Sequence, residues 1–474
     1  MNRCPLIIDL DGTLLRSDML FETWLSFAKD NPFRALMPLV WVRKGKPFLK
    51  ARLAEESNLD VGLLPYNESV LNMIASARAE GREVVLATAT HRRYADRIAA
   101  HLGVFDDVIA TESDVNLSSH RKRDTLVARY GEKGFDYVGN SHDDIAVWKA
   151  SRQVHIVEPH AGVVRRARAA GTVDSVTADA PSTARTWIKA LRLHQWIKNL
   201  LIFVPLLASH RLTDIPLIFM GIMAFLAFGL CASSVYLLND LLDLADDRQH
   251  ATKRRRPFAA GMLEIKHGLM AFPILLLAAF GLSLALLPPA FALALVGYYV
   301  ITLLYSLWLK RQMMVDVVTL GVLYTCRIIA GALAFQIVLT FWMLAFSMFI
   351  FLSLALVKRY AELRQARIQG ESGKTRGRGY FPDDLEMISS LGAASGYISV
   401  MVLALYVQEQ NIVALYRHPE VLWLSCPLLL FWISRTWMLT HRGEMNDDPI
   451  VFAVKDRVSL IVGALFGIIF LIAT

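Results

Sequence analysis

The stretch Asn239-Asp240-Leu241-Leu242-Asp243-Leu244-Ala245-Asp246-Asp247 closes a long apolar run, Ile215 to Leu238, and the chain soon continues as Lys253-Arg254-Arg255-Arg256-Pro257. On one continuous helix Asp240, Asp243 and Asp247 stand at i, i+3 and i+7 and share a face. Three like charges so placed repel unless a cation bridges them. Oxygen-only ligands suit Mg2+, a hard ion that keeps several waters and takes one or two carboxylates together with substrate phosphates. Carboxylates at a membrane exit, followed at once by a basic cluster, predict a site for a metal and a diphosphate. The bland alternative is a solvated acidic loop.

Composition supports a membrane setting. The 474 residues are 55% hydrophobic, and the mean hydropathy of +0.40 is too high for one soluble domain. The formal charge of +8 does not point to nucleic acid, because Lys and Arg concentrate in short segments between apolar spans. That pattern orients a membrane protein. Cys4, Cys231, Cys326 and Cys426 have no metal-ligand spacing and read as reduced structural thiols. Met1 to Asp11 lacks the apolar core of a signal peptide, so the first domain is expected in the cytoplasm.

Residues 1–175 alternate short apolar runs with polar helical stretches, the mark of an α/β domain with a parallel sheet. Candidate strands are Leu6-Ile7-Ile8, Val84 to Ala87, Val108-Ile109, Tyr137-Val138 and Val154 to Val157. The segment 14–82 between the first two is too long for a connection and predicts an inserted helical cap. Small polar residues follow, and 176–186 reads as a linker.

Residues 187–474 predict an all-α bundle. Nine apolar spans are expected, at about 196–210, 215–238, 267–287, 290–309, 315–335, 338–357, 388–408, 420–440 and 450–473, the first of them short. The loops after spans two, four, six and eight hold most of the Lys and Arg. This places the N-terminus in the cytoplasm and the C-terminus outside, across a plasma (inner) membrane.

Further polar groups fall at the same mouth. Lys358-Arg359-Tyr360-Ala361-Glu362 continues span six out of the membrane, with Lys358 and Glu362 at i, i+4. Lys310 and Asp316 flank the loop after span four, Lys198 and Asn199 open span one, and Asp447-Asp448-Pro449 precedes the last span. Singly, Lys198, Lys310 and Lys358 read as snorkelling interface lysines; together they ring one opening. Arg327 lies inside span five, where a charge faces the bundle interior or a partner, and is a candidate phosphate or carboxylate contact.

Residues 185–474 resemble the UbiA superfamily of intramembrane prenyltransferases, whose nine-helix bundles carry NDxxDxxxD at the end of the second helix; Asn239, Asp240, Asp243 and Asp247 match it. The usual DxxxD after the sixth helix is replaced by Lys358-Arg359-Tyr-Ala-Glu362. With Gln195-Trp196-Ile197-Lys198-Asn199 and Arg256-Pro257-Phe258-Ala259-Ala260-Gly261, this looks like the branch that includes decaprenyl-phosphate phosphoribosyltransferase. The resemblance implies Mg2+ on Asp240, Asp243 and Asp247, phosphoribosyl diphosphate as donor and a polyprenyl phosphate as acceptor. Asn239, Lys198, Lys253, Arg254, Arg256, Lys310, Arg327, Lys358, Arg359 and Glu362 are the expected binding residues. A Lys-Arg pair in place of an acidic one suits two phosphorylated substrates.

Asp9-Leu10-Asp11-Gly12-Thr13 directly after the first strand resembles motif I of the haloacid dehalogenase (HAD) phosphatases; Thr88, Lys122 and Gly139-Asn140-Ser141-His142-Asp143-Asp144 fit motifs II to IV in order. By this resemblance Asp9 attacks phosphorus, Asp11 serves as acid and base, and Thr88 and Lys122 hold the phosphoryl oxygens. Asp9, Asp11, Asn140 and Asp144 are the expected Mg2+ ligands. Asn140 departs from the usual Asp and brings no charge, which leaves open a retained fold that only regulates or stabilises the membrane half.

An aromatic prenyltransferase with a polyprenyl diphosphate donor shares the Mg2+ motif, and only the loop after span six separates the two readings. A transporter is disfavoured, because its polar residues would lie at the bilayer midplane on broken helices in repeated halves. Polyprenyl length and a homo-oligomeric state are left open.

Overall fold

The structure, a computed structural model, describes residues 4–112, 117–160, 162–177, 183–250, 252–370, 373–375, 378–409, 416–445 and 448–474. Asp447 and residues 178–182 of the expected linker lie outside these described residues. The chain divides into two compact units, Met1–Leu191 with Tyr236–Phe272, and Arg192–Val235 with Pro273–Thr474.

In the first unit six strands form one parallel sheet: β1 (Leu6–Ile8), β2 (Val84–His91), β3 (Asp107–Thr111), β4 (Asp136–Gly139), β5 (Val154–Val157) and β6 (Val173–Thr177), in the order β3-β2-β1-β4-β5-β6. Ile7 stands opposite Val85 on one side and Tyr137 on the other. Alternate residues point to opposite faces, so Leu6, Ile8, Val84 and Leu86 join one buried cluster with Tyr94 and Ile98. Ile7, Val85 and Tyr137 join the other, with Leu126 and Trp148. Both faces are covered, which is why the central strands read as unbroken apolar runs.

β6 differs from the sequence reading, which named no strand after Val154 to Val157 and drew the domain boundary at 175. Val173–Thr177 instead pairs with β5, and its side chains alternate between half-buried and exposed. An edge strand with one wet face carries small polar residues, the same composition as a linker.

Between β1 and β2 the cap contains helices Met19–Asp30, Met37–Trp41, Lys46–Glu56 and Glu68–Ala79, as the length of the segment predicts. Asp18 caps the first of them by accepting from the Leu20 N–H. Phe27, Trp41, Leu49 and Leu53 give the cap its own small core.

Among the described residues, seven helices are long and apolar enough to cross a membrane: Ile215–Leu242, Ile265–Leu286, Pro289–Leu307, Val315–Phe335, Phe341–Ile368, Pro382–Val407 and Pro419–Arg442. Pro449–Lys455 and Arg457–Ala473, bent by 84°, make an eighth if counted as one span. The chain is a multi-pass membrane protein. The expected first span falls in Leu193–Ala208, too short to cross and wound as a 3-10 helix over Leu193–Phe203.

In the second unit Tyr324, Ile328, Phe351, Leu354, Leu403, Leu429 and Ile433 share one core. A Cβ on Gly392 would stand 2.1 Å from the Trp437 ring, and one on Gly396 would stand 2.6 Å from Ile433. Small residues four apart let these membrane helices approach closely.

Candidate functional site

The first centre forms at the carboxyl ends of β1, β2 and β4, where ligands of open α/β sheets bind. Asp9 follows β1 and is buried with Lys122 of the helix Ser119–Tyr130, whose Nζ donates to Asp9 Oδ1 at 2.6 Å and to the Tyr137 hydroxyl at 3.0 Å. The Tyr137 hydroxyl donates in turn to Asp144 Oδ1 at 2.8 Å. Asp144 Oδ2 accepts from the backbone N–H groups of Asn140 and Ser141, at 3.1 and 2.9 Å, which folds the loop after β4. Asp11 is oriented by the Met19 N–H and by the Thr90 hydroxyl, both at 2.8 Å. The Thr88 hydroxyl accepts from the Thr90 N–H at 2.9 Å and keeps its own proton to donate.

Burial pushes the Asp9 carboxyl up to about 7 against the pull of Lys122, with Asp144 and Asp11 adding to the rise. A bound cation would oppose that rise, because it favours the ionised form. Asn140 Oδ1 is buried without a hydrogen-bond partner, an arrangement that costs free energy unless the atom has a ligand. A Cβ on Gly12, at φ +75°, would stand 2.2 Å from the Asn140 amide, so glycine is what lets this side chain lie against motif I. Among the described residues no three carboxylate, imidazole or thiol groups converge to hold a metal by themselves. Mg2+ does not require three, since waters and substrate oxygens complete its shell. Asp9, Asn140 Oδ1 and the neighbouring Asp11 therefore fit a divalent cation.

Sequence reasoning missed Tyr137 and also Lys50. The Lys50 ammonium, from the cap helix Lys46–Glu56, donates to the Ala89 carbonyl at 2.6 Å, between Thr88 and Thr90. No spacing announces Lys50, because the cap folds back over the sheet only in three dimensions.

The aspartate motif belongs to the same unit, but its helix is not continuous. Ile215–Leu242 ends before Asp243, and Leu244–Gln249 restarts after it. Asp240 and Asp247 still converge: one guanidinium nitrogen of Arg256 lies 3.1 Å from Asp240 Oδ1 and 2.7 Å from Asp247 Oδ2. Both carboxylates are buried, and burial lifts Asp247 above the usual carboxylate range against the pull of Arg256. Two carboxylates gathered on one positive group are a donor set that suits Mg2+ with a diphosphate. Asn239 and Asp243 are half-buried, and Lys253 and Arg254 are exposed in a 3-10 turn.

This segment also grips the cap. Arg248 forms a bidentate pair with Glu22, at 3.0 and 2.5 Å, with both side chains almost fully buried. Lys29 meets Asp246 at 2.9 Å, and a Cβ on Gly261 would stand 2.5 Å from Arg16.

In the second unit the Lys198 ammonium lies 2.7 Å and the Lys358 ammonium 3.5 Å from one oxygen of Asp448, and the Tyr324 hydroxyl donates to the same carboxylate at 3.1 Å. Burial alone would raise the Asp448 carboxyl; Lys198 and Lys358, with the hydrogen bonds from Lys198 and Tyr324, hold it well below the usual range. Arg327 is buried among Phe228, Tyr298 and Tyr324, and donates to Asn199 Oδ1 and the Tyr298 hydroxyl, each at 3.1 Å. This is the interior-facing charge expected of it.

Arg359 is placed differently from expectation. It is fully buried, pairs with Asp316 at 2.5 Å and with Glu362, and Asp316 also accepts from the Tyr380 hydroxyl. Glu362 thus pairs with Arg359. Lys310 sits half-buried in the turn Leu309–Arg311.

The UbiA prenyltransferase family model matches residues 200–455, and the haloacid dehalogenase-like hydrolase model matches residues 6–147. The protein y4nM of Sinorhizobium fredii is 38% identical over 473 residues, 99% of this chain and 91% of its own. The nodulation protein NoeC of Azorhizobium caulinodans is 37% identical over 60% of this chain and 93% of its own. Decaprenyl-phosphate phosphoribosyltransferase of Mycobacterium tuberculosis is 31% identical over 60% of this chain and 93% of its own. The chain belongs to the UbiA prenyltransferase family and carries a haloacid dehalogenase-like domain at its N-terminus.

Proposed function

We propose that the membrane domain transfers the 5-phosphoribosyl group of phosphoribosyl diphosphate to a polyprenyl phosphate such as decaprenyl phosphate, at the cytoplasmic face of the plasma membrane. The N-terminal domain then removes the 5-phosphate to leave polyprenyl-phosphoryl ribose. The observation that carries this reading is the pairing of Lys198 and Lys358 on Asp448. Two ammonium groups on one carboxylate oxygen are a ready grip for a phosphate that needs no metal. The M. tuberculosis relative, by its name, works on decaprenyl phosphate.

In the transfer, Asp240 and Asp247 with Arg256 hold the diphosphate end of the donor. A phosphate oxygen of the lipid attacks C1 of the ribose, and the bond from C1 to the diphosphate breaks. No protein nucleophile is needed, because the phosphate is already ionised. Arg359 supports this mouth by tying the end of the helix Phe341–Ile368 to Asp316. Mg2+, when bound, neutralises charge that develops on the leaving diphosphate.

In the hydrolysis, an Asp9 oxygen attacks the 5-phosphorus and the ester bond to the ribose oxygen breaks. Asp11, held by Met19 and Thr90, protonates that oxygen and later takes a proton from the water that frees Asp9. Lys122 and Thr88 hold the phosphoryl oxygens.

Purified protein in lipid nanodiscs, given radiolabelled phosphoribosyl diphosphate, Mg2+ and decaprenyl phosphate, is expected to yield labelled lipid. Label that stays in the aqueous phase rejects the transferase reading. Labelled lipid that keeps its 5-phosphate rejects the hydrolysis.

A further inference from the structure

The tip of the cap carries an apolar surface that neither site uses. Among the described residues between 4 and 190, eight large hydrophobic side chains are exposed, and six of them are Phe33, Leu36, Met37, Leu39, Val40 and Val42. Phe33 is 95% exposed and Leu36 71%, beyond what a scattered surface hydrophobe requires. The fold does not bury them, because the short helix Met37–Trp41 buries Pro38, turns Trp41 inward to the cap core and leaves its other positions outside.

The charges around this patch have one sign. From Pro32 to Phe48 the chain carries Arg34, Arg43, Lys44 and Lys46 and no acidic residue. Arg34 reaches back to Glu56 at 3.1 Å, while Arg43, Lys44 and Lys46 are exposed beside the apolar side chains. An apolar face rimmed by cations fits the boundary between headgroups and acyl chains of an anionic bilayer, where it sinks by about 5–10 Å. A second copy of the chain is disfavoured, because the same cations would then face each other.

We propose that the cap tip, Phe33 to Lys46, is a membrane-surface anchor that inserts its apolar side chains among anionic lipid headgroups. A multi-pass chain keeps a bilayer within reach, so a modest affinity suffices to keep the tip seated. The anchor would hold the HAD-like domain where a lipid-borne substrate lies.

The test uses the full-length protein in nanodiscs of phosphatidylglycerol and phosphatidylcholine. Phe33→Cys is labelled with an environment-sensitive nitrobenzoxadiazole probe; Glu132→Cys, an exposed position outside the cap, is the control. The unsubstituted protein gives the background from its own cysteines. The probe at position 33 is expected to shift to the blue, brighten, and be quenched by doxyl-labelled lipid; the probe at 132 is not. In an Arg43→Gln, Lys44→Gln, Lys46→Gln background the shift at 33 is expected to shrink and to lose its sensitivity to salt. A probe at 33 that behaves like the one at 132 overturns the proposal. So does a blue shift that ignores doxyl lipid and follows protein concentration, which would mark a second copy as the occupant.

Discussion

Asn140 joins a sequence departure to a structural fact. Where HAD phosphatases usually place Asp, this chain offers an amide oxygen that is buried and has no hydrogen-bond partner. Asn140→Asp adds charge to the same position, and the Mg2+ concentration for half-maximal phosphatase activity is expected to fall roughly tenfold. A titration with a soluble phosphomonoester reads this directly; no change would mean that the amide is not a ligand. Asp448 makes a comparable claim in the second unit. Lys198→Gln, which removes one of its two ammonium partners, is expected to raise KM for the polyprenyl phosphate about tenfold, about 1.4 kcal/mol, and to leave KM for phosphoribosyl diphosphate unchanged. Initial-rate kinetics with each substrate varied in turn separates the two.

Asp136 sets a pH limit of a different kind. Its side chain is fully buried at the start of β4, where Arg152 donates at 2.9 and 2.7 Å and Arg82 adds a further pair. Burial opposes the charge, but Arg152 and Arg82 prevail and lower the carboxyl below its usual range. Its stabilisation is therefore present above the unfolded value of about 4 and is lost as pH falls through the folded one. Thermal melts of the protein between neutral pH and about pH 3 are expected to show this loss, and Asp136→Asn should remove that part of the acid sensitivity.

At the level of secondary structure, the helix breaks at Asp243 and restarts at Leu244, and the restarted turn carries Arg248, which pairs with Glu22 of the cap helix Met19–Asp30. Glu22→Gln keeps the shape but leaves Arg248 buried without its countercharge, a loss of about 3 kcal/mol. A lower melting temperature with retained membrane insertion is the expected result. Neither the break nor the pair was legible in the sequence, because Leu241-Leu242-Asp243-Leu244 has no proline or glycine and the partners lie more than two hundred residues apart. The strands beside Asp9, Thr88 and Asn140 were legible, since strands buried on both faces leave unbroken apolar runs. β6 was not, because an edge strand shares its composition with a linker. Asp448 was visible only as one of several charges at a helix start, because its role depends on lysines from two distant helices.

For the chain as a whole, the proposed pairing of two activities makes an order of events testable. In the proposed sequence the lipid-linked 5-phosphate exists only after the transfer, so the two centres differ in what their loss leaves behind. Asp243→Asn removes a carboxylate from the aspartate motif and is expected to abolish labelled lipid of every kind. Asp9→Asn removes the proposed phosphatase nucleophile and is expected to leave the transfer rate within about twofold, because each centre lowers its own barrier. The product should then keep its 5-phosphate, and added wild-type protein should remove it. Thin-layer separation of lipids labelled in the ribose and, in a parallel reaction, in the 5-phosphate distinguishes the cases. An Asp9→Asn protein that makes no lipid at all would show that the HAD-like domain sustains the transfer itself, through the cap helix that Arg248 already holds.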